Sequence, residues 1–298
     1  MSQKDAKNYD KYLMHLNTVQ ATPIKTLTEA LKEVLTDVNI HFDSNGLEIV
    51  NMDPNKISYV ALKLYENKFD QYHCPNSLLI GVNMMSMHKL LKTIGNNDTL
   101  TMYVTKDNPD KLGIIIQNKN KRMCNKIVYN LIDVDLVEID IPGIVYDAKI
   151  TMPCGDFQKY CRELSAVSDF VKIGITSDKT FYMSVNGSIG RQTLDIKETE
   201  DSSVIIDIIN KEIGDGKGDE DESGDETDEE NDKVSNRKTV DIGIFRLKFL
   251  NLFCKSSTLC STIQLYLKAE YPIIIVYAVA SLGTVSFCLR PHIDEDDL

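Results

Sequence analysis

A helical stripe followed by several short strand-like runs recurs four times along this chain of 298 residues, and that repetition limits its fold more than any other feature. The first stripe covers residues 23–36, where Ile24, Leu27, Leu31, Val34 and Leu35 return at helical spacing. Thr22 is placed to cap it, and Pro23 suits a first helical position, where the missing N–H has no partner to lose. The second stripe (84–94) carries Met84, Met87, Leu91 and Ile94 and stops at Gly95-Asn96. The third (156–167) carries Phe157, Tyr160, Leu164 and Val167, and the fourth (245–255) Phe245, Phe249, Leu252 and Phe253. Between them, alternation and β-branched runs predict strands at 40–42, 47–51, 58–65, 100–104, 112–117, 171–176, 181–185, 262–269 and 273–280. Turn residues fall at Asp43-Ser-Asn-Gly46, Asn108-Pro-Asp110 and Asn186-Gly187. One helix and then several strands, four times over, reads as an internally duplicated α+β protein.

The halves are joined at 136–145, which holds Ile141-Pro-Gly143 and lacks periodicity. Residues 1–12 are polar and read as a disordered extension. The domain expectation is therefore 13–136, a connector at 137–147, and 148–298, with an acidic loop inserted at about 211–238. That insertion cannot bury an apolar face and is expected to be a solvated loop.

Charge needs dissection. The chain has 33 basic and 45 acidic residues, a net of −12 that on its face opposes a nucleic-acid partner. Residues 215–232 alone hold eleven acids and one Lys, and 294–297 hold four more acids. Taking −10 and −4 away from −12 leaves +2 for the rest. Placement of the cations must decide, not their sum.

Each stripe carries a basic pair away from its apolar side: Lys25 and Lys32, Lys89 and Lys92, Lys159 and Arg162, Lys248 and Lys255. Side by side, four such helices would make a positive surface that holds phosphates without reading sequence. A solvated helix face is the plainer account of any one pair, and Glu29, Glu33 and Glu163 dilute the pattern. Charge alone leaves both accounts open.

Other classes lack support. No GxxxxGK(S/T), HExxH or GxSxG motif occurs, and the five histidines have no ligand spacing. Neither catalysis nor a metal or other cofactor is expected. The longest apolar run, 271–280, contains Pro272 and is too short to span a bilayer, and the polar start is not a secretory signal. Seven cysteines without a CxxC pair read as reduced thiols, mostly core fillers, in an intracellular protein.

Specific strings then carry a resemblance. CPNSLLIGVNMMSMHKLLK (74–92) is similar to the signature of the proliferating cell nuclear antigen family of DNA sliding clamps. The similarity continues through NMDPNKIS (51–58), DVDLVEIDIP (133–142), MPCGDFQKYCRELS (152–165), FLNLFCKSSTLCST (249–262) and AEYPIIIVYAVASLG (269–283). It ends at RPHIDEDDL (290–298), like the family's acidic tail.

The resemblance implies an α+β fold of two similar clamp domains, each with two helices packed on antiparallel sheet. Three chains would form a six-domain ring round duplex DNA, joined head to tail, a contact that closes. Strand edges would meet between chains, residues 121–128 against 187–196. The resemblance assigns DNA contact to Lys25, Lys32, Lys89, Lys92, Lys159, Arg162, Lys248 and Lys255, with Thr26 and Ala166 where the family has basic or His residues. It implies a second site, a groove taking hydrophobic plugs from polymerases, the clamp loader, ligases and nucleases. Its matching residues are Met52, Ile57, Tyr59, Ile139, Ile141, Pro142, Tyr146, Pro272 and Pro291. Core packing is the plainer account of these apolar residues. Lys56, Cys288 and Arg290 depart from the family there, and its modified lysine falls at Ser177, with Lys179 two residues on. The expected location is the nucleus or the replication site of a large DNA virus. The other readings are one subunit of a heterotrimeric checkpoint-type clamp and a monomeric acidic chaperone or interaction protein using residues 215–232.

Overall fold

The computed structural model describes residues 9–53, 55–118, 120–136, 144–201, 203–210 and 239–292. The acidic insertion, the acidic end of the chain and residues 137–143 of the connector lie outside them.

The repeat read from the sequence is the organising feature. The first is β1 (Tyr12–Thr18), α1 (Ala21–Leu31), β2 (Asp37–Asp43), β3 (Gly46–Met52) and β4 (Ser58–Tyr65). The second is β5 (Gln71–His73), β6 (Leu78–Asn83), α2 (Met84–Leu91), β7 (Thr99–Thr105), β8 (Asn108–Asn118) and β9 (Met123–Asn130). The third is β10 (Ala148–Pro153), α3 (Cys154–Leu164), β11 (Phe170–Thr176), β12 (Thr180–Gly187) and β13 (Gly190–Lys197). The fourth has β14 (Ile205–Ile208), β15 (Thr239–Arg246), α4 (Leu247–Phe253), a 3-10 turn at Cys254–Thr258, β16 (Thr262–Leu267), β17 (Ile273–Val279) and β18 (Gly283–Leu289). After every helix the next three strands lie beside one another in chain order. The fold is α+β, with four α-helices among the described residues and strands that pair antiparallel. None of these helices is long and apolar enough to cross a membrane.

Two compact units result. The first takes residues 1–142, 252–263 and 275–288. Its sheet β5-β1-β7-β8-β9 and the strand run β18-β4-β3-β2-β6 share an apolar core with α1 and α2. A cavity of about 60 Å³ inside that core is lined by Ile24, Leu27 and Leu31 of α1, Met84, Met87 and Leu91 of α2, and Phe42 and Leu62 of the strands. The stripes of the first two helices therefore face the same interior. The second unit takes residues 143–251, 264–274 and 289–298. Its sheet β13-β12-β11-β15 buries Val171, Ile173, Phe181, Met183 and Phe245, and Phe157 and Leu164 of α3 are equally buried. Cys74, Cys154, Cys161, Cys254 and Cys288 are buried fillers, whereas Cys124 is exposed.

The duplication reaches single residues. In the first unit Tyr103 of β7 lies opposite Gly113 of β8, and a Cβ on that glycine would come within 2.2 Å of the ring. In the second, Tyr182 of β12 lies opposite Gly174 of β11, with the same obstruction at 2.1 Å. Each unit thus lays a tyrosine across a glycine on the neighbouring strand, with the two partners exchanged between strands.

Several local expectations need correction. Helix α1 starts at Ala21, so Thr22 lies inside its first turn and Gln20 holds the cap position without a side-chain bond. Thr18 supplies the local bond instead, its hydroxyl accepting from Gln20 N–H at 2.9 Å. Pro23 remains in the first turn, where helical N–H groups have no partners. Helix α4 starts at Leu247, because Arg246 is still paired with Phe170 in the sheet. Phe245 is consequently buried from a strand, and Leu247, Phe249, Leu250 and Phe253 are the inward residues, while Leu252 is half-buried. The expected turn at 108–110 is strand: Thr105 pairs with Asn108, leaving Lys106-Asp107 as the turn. Pro109 is tolerated because β9 pairs only from Lys111 onward. Gly187 likewise pairs with Gly190, moving that turn to Ser188-Ile189. Structure also begins before residue 13: Tyr9 stacks on His73, ring centroids 4.8 Å apart, and β1 opens at Tyr12. Residues 1–8 lie outside the described part.

Candidate nucleic-acid interface

All eight expected cations are off the core. Lys25 and Lys32 are half-buried and the other six exposed. The helices place them by the same periodicity that buries the opposite stripe. Lys32 and Lys92 close α1 and α2, and Arg162 stands in the last turn of α3, where a cation meets the negative end of the helix dipole. Lys255 is a correction. It does not ride on α4 but on the 3-10 turn beyond it, because the helix tightens after Phe253.

Their partners divide them into two classes. Lys25 Nζ donates to the Ile94 carbonyl at 2.8 Å, tying α1 to the turn after α2. Lys32 Nζ lies 3.7 Å from Glu33 Oε1, and Lys255 Nζ 2.9 Å from Glu33 Oε2. Lys159 Nζ stands 3.9 Å from Glu163 Oε1, one turn along α3. Lys89, Lys92, Arg162 and Lys248 make no ion pair among the described residues. Lys25, Lys32, Lys89, Lys92 and Lys255 belong to the first unit, and Lys159, Arg162 and Lys248 to the second.

Two residues sharpen this picture beyond the sequence reading. His88 on α2 has a buried Nδ1 with no hydrogen-bond partner among the described residues. Burial first, then Lys32, with Lys92 and Lys25 behind it, holds its imidazole below the ordinary range against the opposing pull of Glu29. Three of the predicted lysines thus act on one ring, with Glu29 opposing them. Its signal in sequence was the spacing of His88 and Lys92, four apart on one helix face. Glu33, read at first as mere dilution of the basic face, is instead bonded to two of the expected cations.

The second expected site is built on a turn. Asp53, itself buried, accepts from the N–H groups of Asn55 (3.0 Å), Ile57 (2.8 Å) and Ser58 (2.5 Å), and from the Ser58 hydroxyl at 3.2 Å. That carboxylate folds the chain between β3 and β4 and sets Met52, Ile57 and Tyr59 around it, all half-buried. Lys56 takes a left-handed conformation in the turn, φ 57°. In the second unit Tyr146, Pro272 and Pro291 are half-buried too, and Tyr146 packs on Tyr266 at 5.4 Å. None of these six is a core residue. Ile139, Ile141 and Pro142 lie outside the described residues. Of the three departures from the family, Cys288 is buried, while Lys56 and Arg290 are exposed.

Asp53→Asn should test the turn. An amide would set its own N–H groups against backbone donors, and we expect a loss of about 2 kcal/mol in stability by urea unfolding.

Two open strand edges complete the surface. Strands β9 and β13 each end a sheet and are exposed along most of their length. Two of the most exposed large apolar side chains stand at them, Val128 (66%) on β9 and Ile189 (78%) in the turn before β13.

Comparison with known proteins divides the chain at residues 139–140, so that Lys255, packed with the first unit, falls in the C-terminal match. Residues 13–139 match the proliferating cell nuclear antigen N-terminal domain, and residues 140–213 and 208–292 match the C-terminal domain. The chain belongs to the proliferating cell nuclear antigen family. A relative from Paramecium bursaria Chlorella virus 1, described as probable DNA polymerase sliding clamp 1, is 32% identical over 284 residues, covering 95% of this chain and 98% of the relative. Within this family the cations described above fall in both domains: four in the N-terminal match and four in the C-terminal one.

Proposed function

We infer that the chain is a DNA sliding clamp and polymerase processivity factor. The observation that carries this is a repeated one: in a member of this family, every helix stripe brings basic residues to the solvent side. Such cations contact phosphates weakly and without sequence preference, so the complex slides rather than locks. Retention would come from topology. Three copies join head to tail, β9 of one chain pairing with β13 of the next, which removes two edges that would otherwise invite aggregation. Val128 and Ile189 support this, since exposed apolar groups on open edges mark a surface meant to be covered.

The clamp is a binding scaffold with no chemistry of its own. DNA polymerase, clamp loader, ligase and nuclease dock through short hydrophobic plugs on Met52, Ile57, Tyr59, Ile139, Ile141, Pro142, Tyr146, Pro272 and Pro291. Leu136 (73% exposed), just before the connector, and Val145 (75% exposed), within it, extend the apolar surface offered. The site of action is the nucleus or a viral replication site, in keeping with the viral relative.

The deciding experiment loads the protein onto a nicked circular duplex and then linearises it. Retention on the circle and rapid loss from the linear form is the expected result, together with a trimer mass by light scattering. Equal loss from both templates, or a monomer at micromolar concentration, overturns the reading.

A further inference from the structure

We infer that Glu33 restrains the clamp's grip on DNA, by holding Lys32 and Lys255 in ion pairs that a phosphate must break; this rests on the sliding-clamp reading. Glu33 follows Lys32 at the end of α1, and its two carboxylate oxygens take different lysines. Oε1 lies 3.7 Å from Lys32 Nζ, and Oε2 lies 2.9 Å from Lys255 Nζ on the 3-10 turn after α4. All three residues belong to the first unit, whose remaining expected DNA contacts are Lys25, Lys89 and Lys92. Lys25 is already spent on the Ile94 carbonyl. Glu33 therefore decides whether this unit offers about two mobile cations or about four.

The carboxylate is a better partner for these ammonium groups than a surface acid would ordinarily be. The Lys32 side chain is only 17% exposed, so its stem is held by packing and it has less freedom to swing away from Glu33 than a fully exposed lysine. Hydrogen bonding to Lys255, with both lysines adding attraction, keeps the Glu33 carboxyl below the usual carboxylate range, so it stays ionised. A DNA phosphate approaching Lys32 or Lys255 meets this fixed negative charge first. Weak contact is what a sliding ring needs, since each released counterion adds to affinity and to the barrier against moving on. Glu29, one turn earlier on α1, makes no ion pair among the described residues and is the natural comparison.

The test is salt-dependent binding of the full chain to a short duplex, by anisotropy, over roughly 50 to 200 mM salt. Glu33→Gln keeps the shape and removes the charge. It should bind more tightly at low salt, with a log–log slope steeper by about 0.9 to 1.8, one to two more phosphates per engaged chain. Across that range its affinity should fall about 3- to 12-fold further than that of the unaltered chain. Glu29→Gln should change the slope by less than half as much. Adding Lys255→Met to Glu33→Gln should take back about half of the gain. An unchanged slope in Glu33→Gln, or equal slopes for both glutamine variants, overturns the inference while leaving the clamp reading intact. A Glu33→Gln chain that cannot fold also overturns it, because the role would then be architectural. If the unaltered chain shows no salt-sensitive duplex binding, the clamp reading falls and this inference with it.

Discussion

Replacing Lys89, Lys92, Arg162 and Lys248 together by alanine should abolish most of the stimulation that this protein gives a polymerase, while the oligomer keeps its mass. These four are exposed and make no ion pair among the described residues, so their removal leaves no buried partner behind. Each substitution should move stability by no more than about 0.5 kcal/mol. Their loss from phosphate contact should flatten the salt dependence of duplex binding by about 3 to 4 in log–log slope, if all four engage. Lys25 is deliberately left alone. Its ammonium satisfies the Ile94 carbonyl, so a change there would mix a stability loss into the DNA readout. A quadruple variant with normal stimulation and an unaltered slope would remove these helices from the DNA-contact surface altogether.

Val128→Asp combined with Ile189→Asp should turn the proposed trimer into a folded monomer. Both side chains are more than half exposed in the single chain, so a carboxylate at either position costs the isolated fold little. Between paired edges the same carboxylate would be stripped of water without a partner, at about 3 kcal/mol or more for each buried charge. Two per joint should weaken association well beyond a hundredfold. Light scattering at micromolar concentration should then give the mass of one chain, with an unchanged melting profile. Retention on circular DNA should vanish in step, since an open chain cannot be threaded. A variant that keeps the trimer mass would show that these edges are not where copies meet.

Most of the fold was legible because its elements carry one-sided burial. The stripe Ile24, Leu27, Leu31 specifies α1, and alternation specifies β4 to the residue, Ser58–Tyr65. Strands β9 and β13 did not show in that way. As sheet ends exposed along most of their length, MCNKIVYN and GRQTLDIK, they bury only Ile196 between them, too little of a face to write an alternating pattern. Turn positions were misplaced by two or three residues at Pro109 and Gly187, because a two-residue hairpin is set by which strand residues pair, and pairing is not local.

The candidate site divides along the same line. Periodicity alone determined that Lys25, Lys32, Lys89, Lys92, Lys159, Arg162 and Lys248 would stand away from the core, since a helix that buries one stripe must turn the other outward. What each cation does there was decided by tertiary structure. Lys25 reaches a carbonyl at the end of another helix, and Glu33 gathers its own neighbour together with a lysine from the far end of the chain. Lys255 owes its place to a turn rather than to helix α4. A side chain's direction follows from its own helix, but its partner is whatever the fold brings within about 3 Å, and no local pattern encodes that distance.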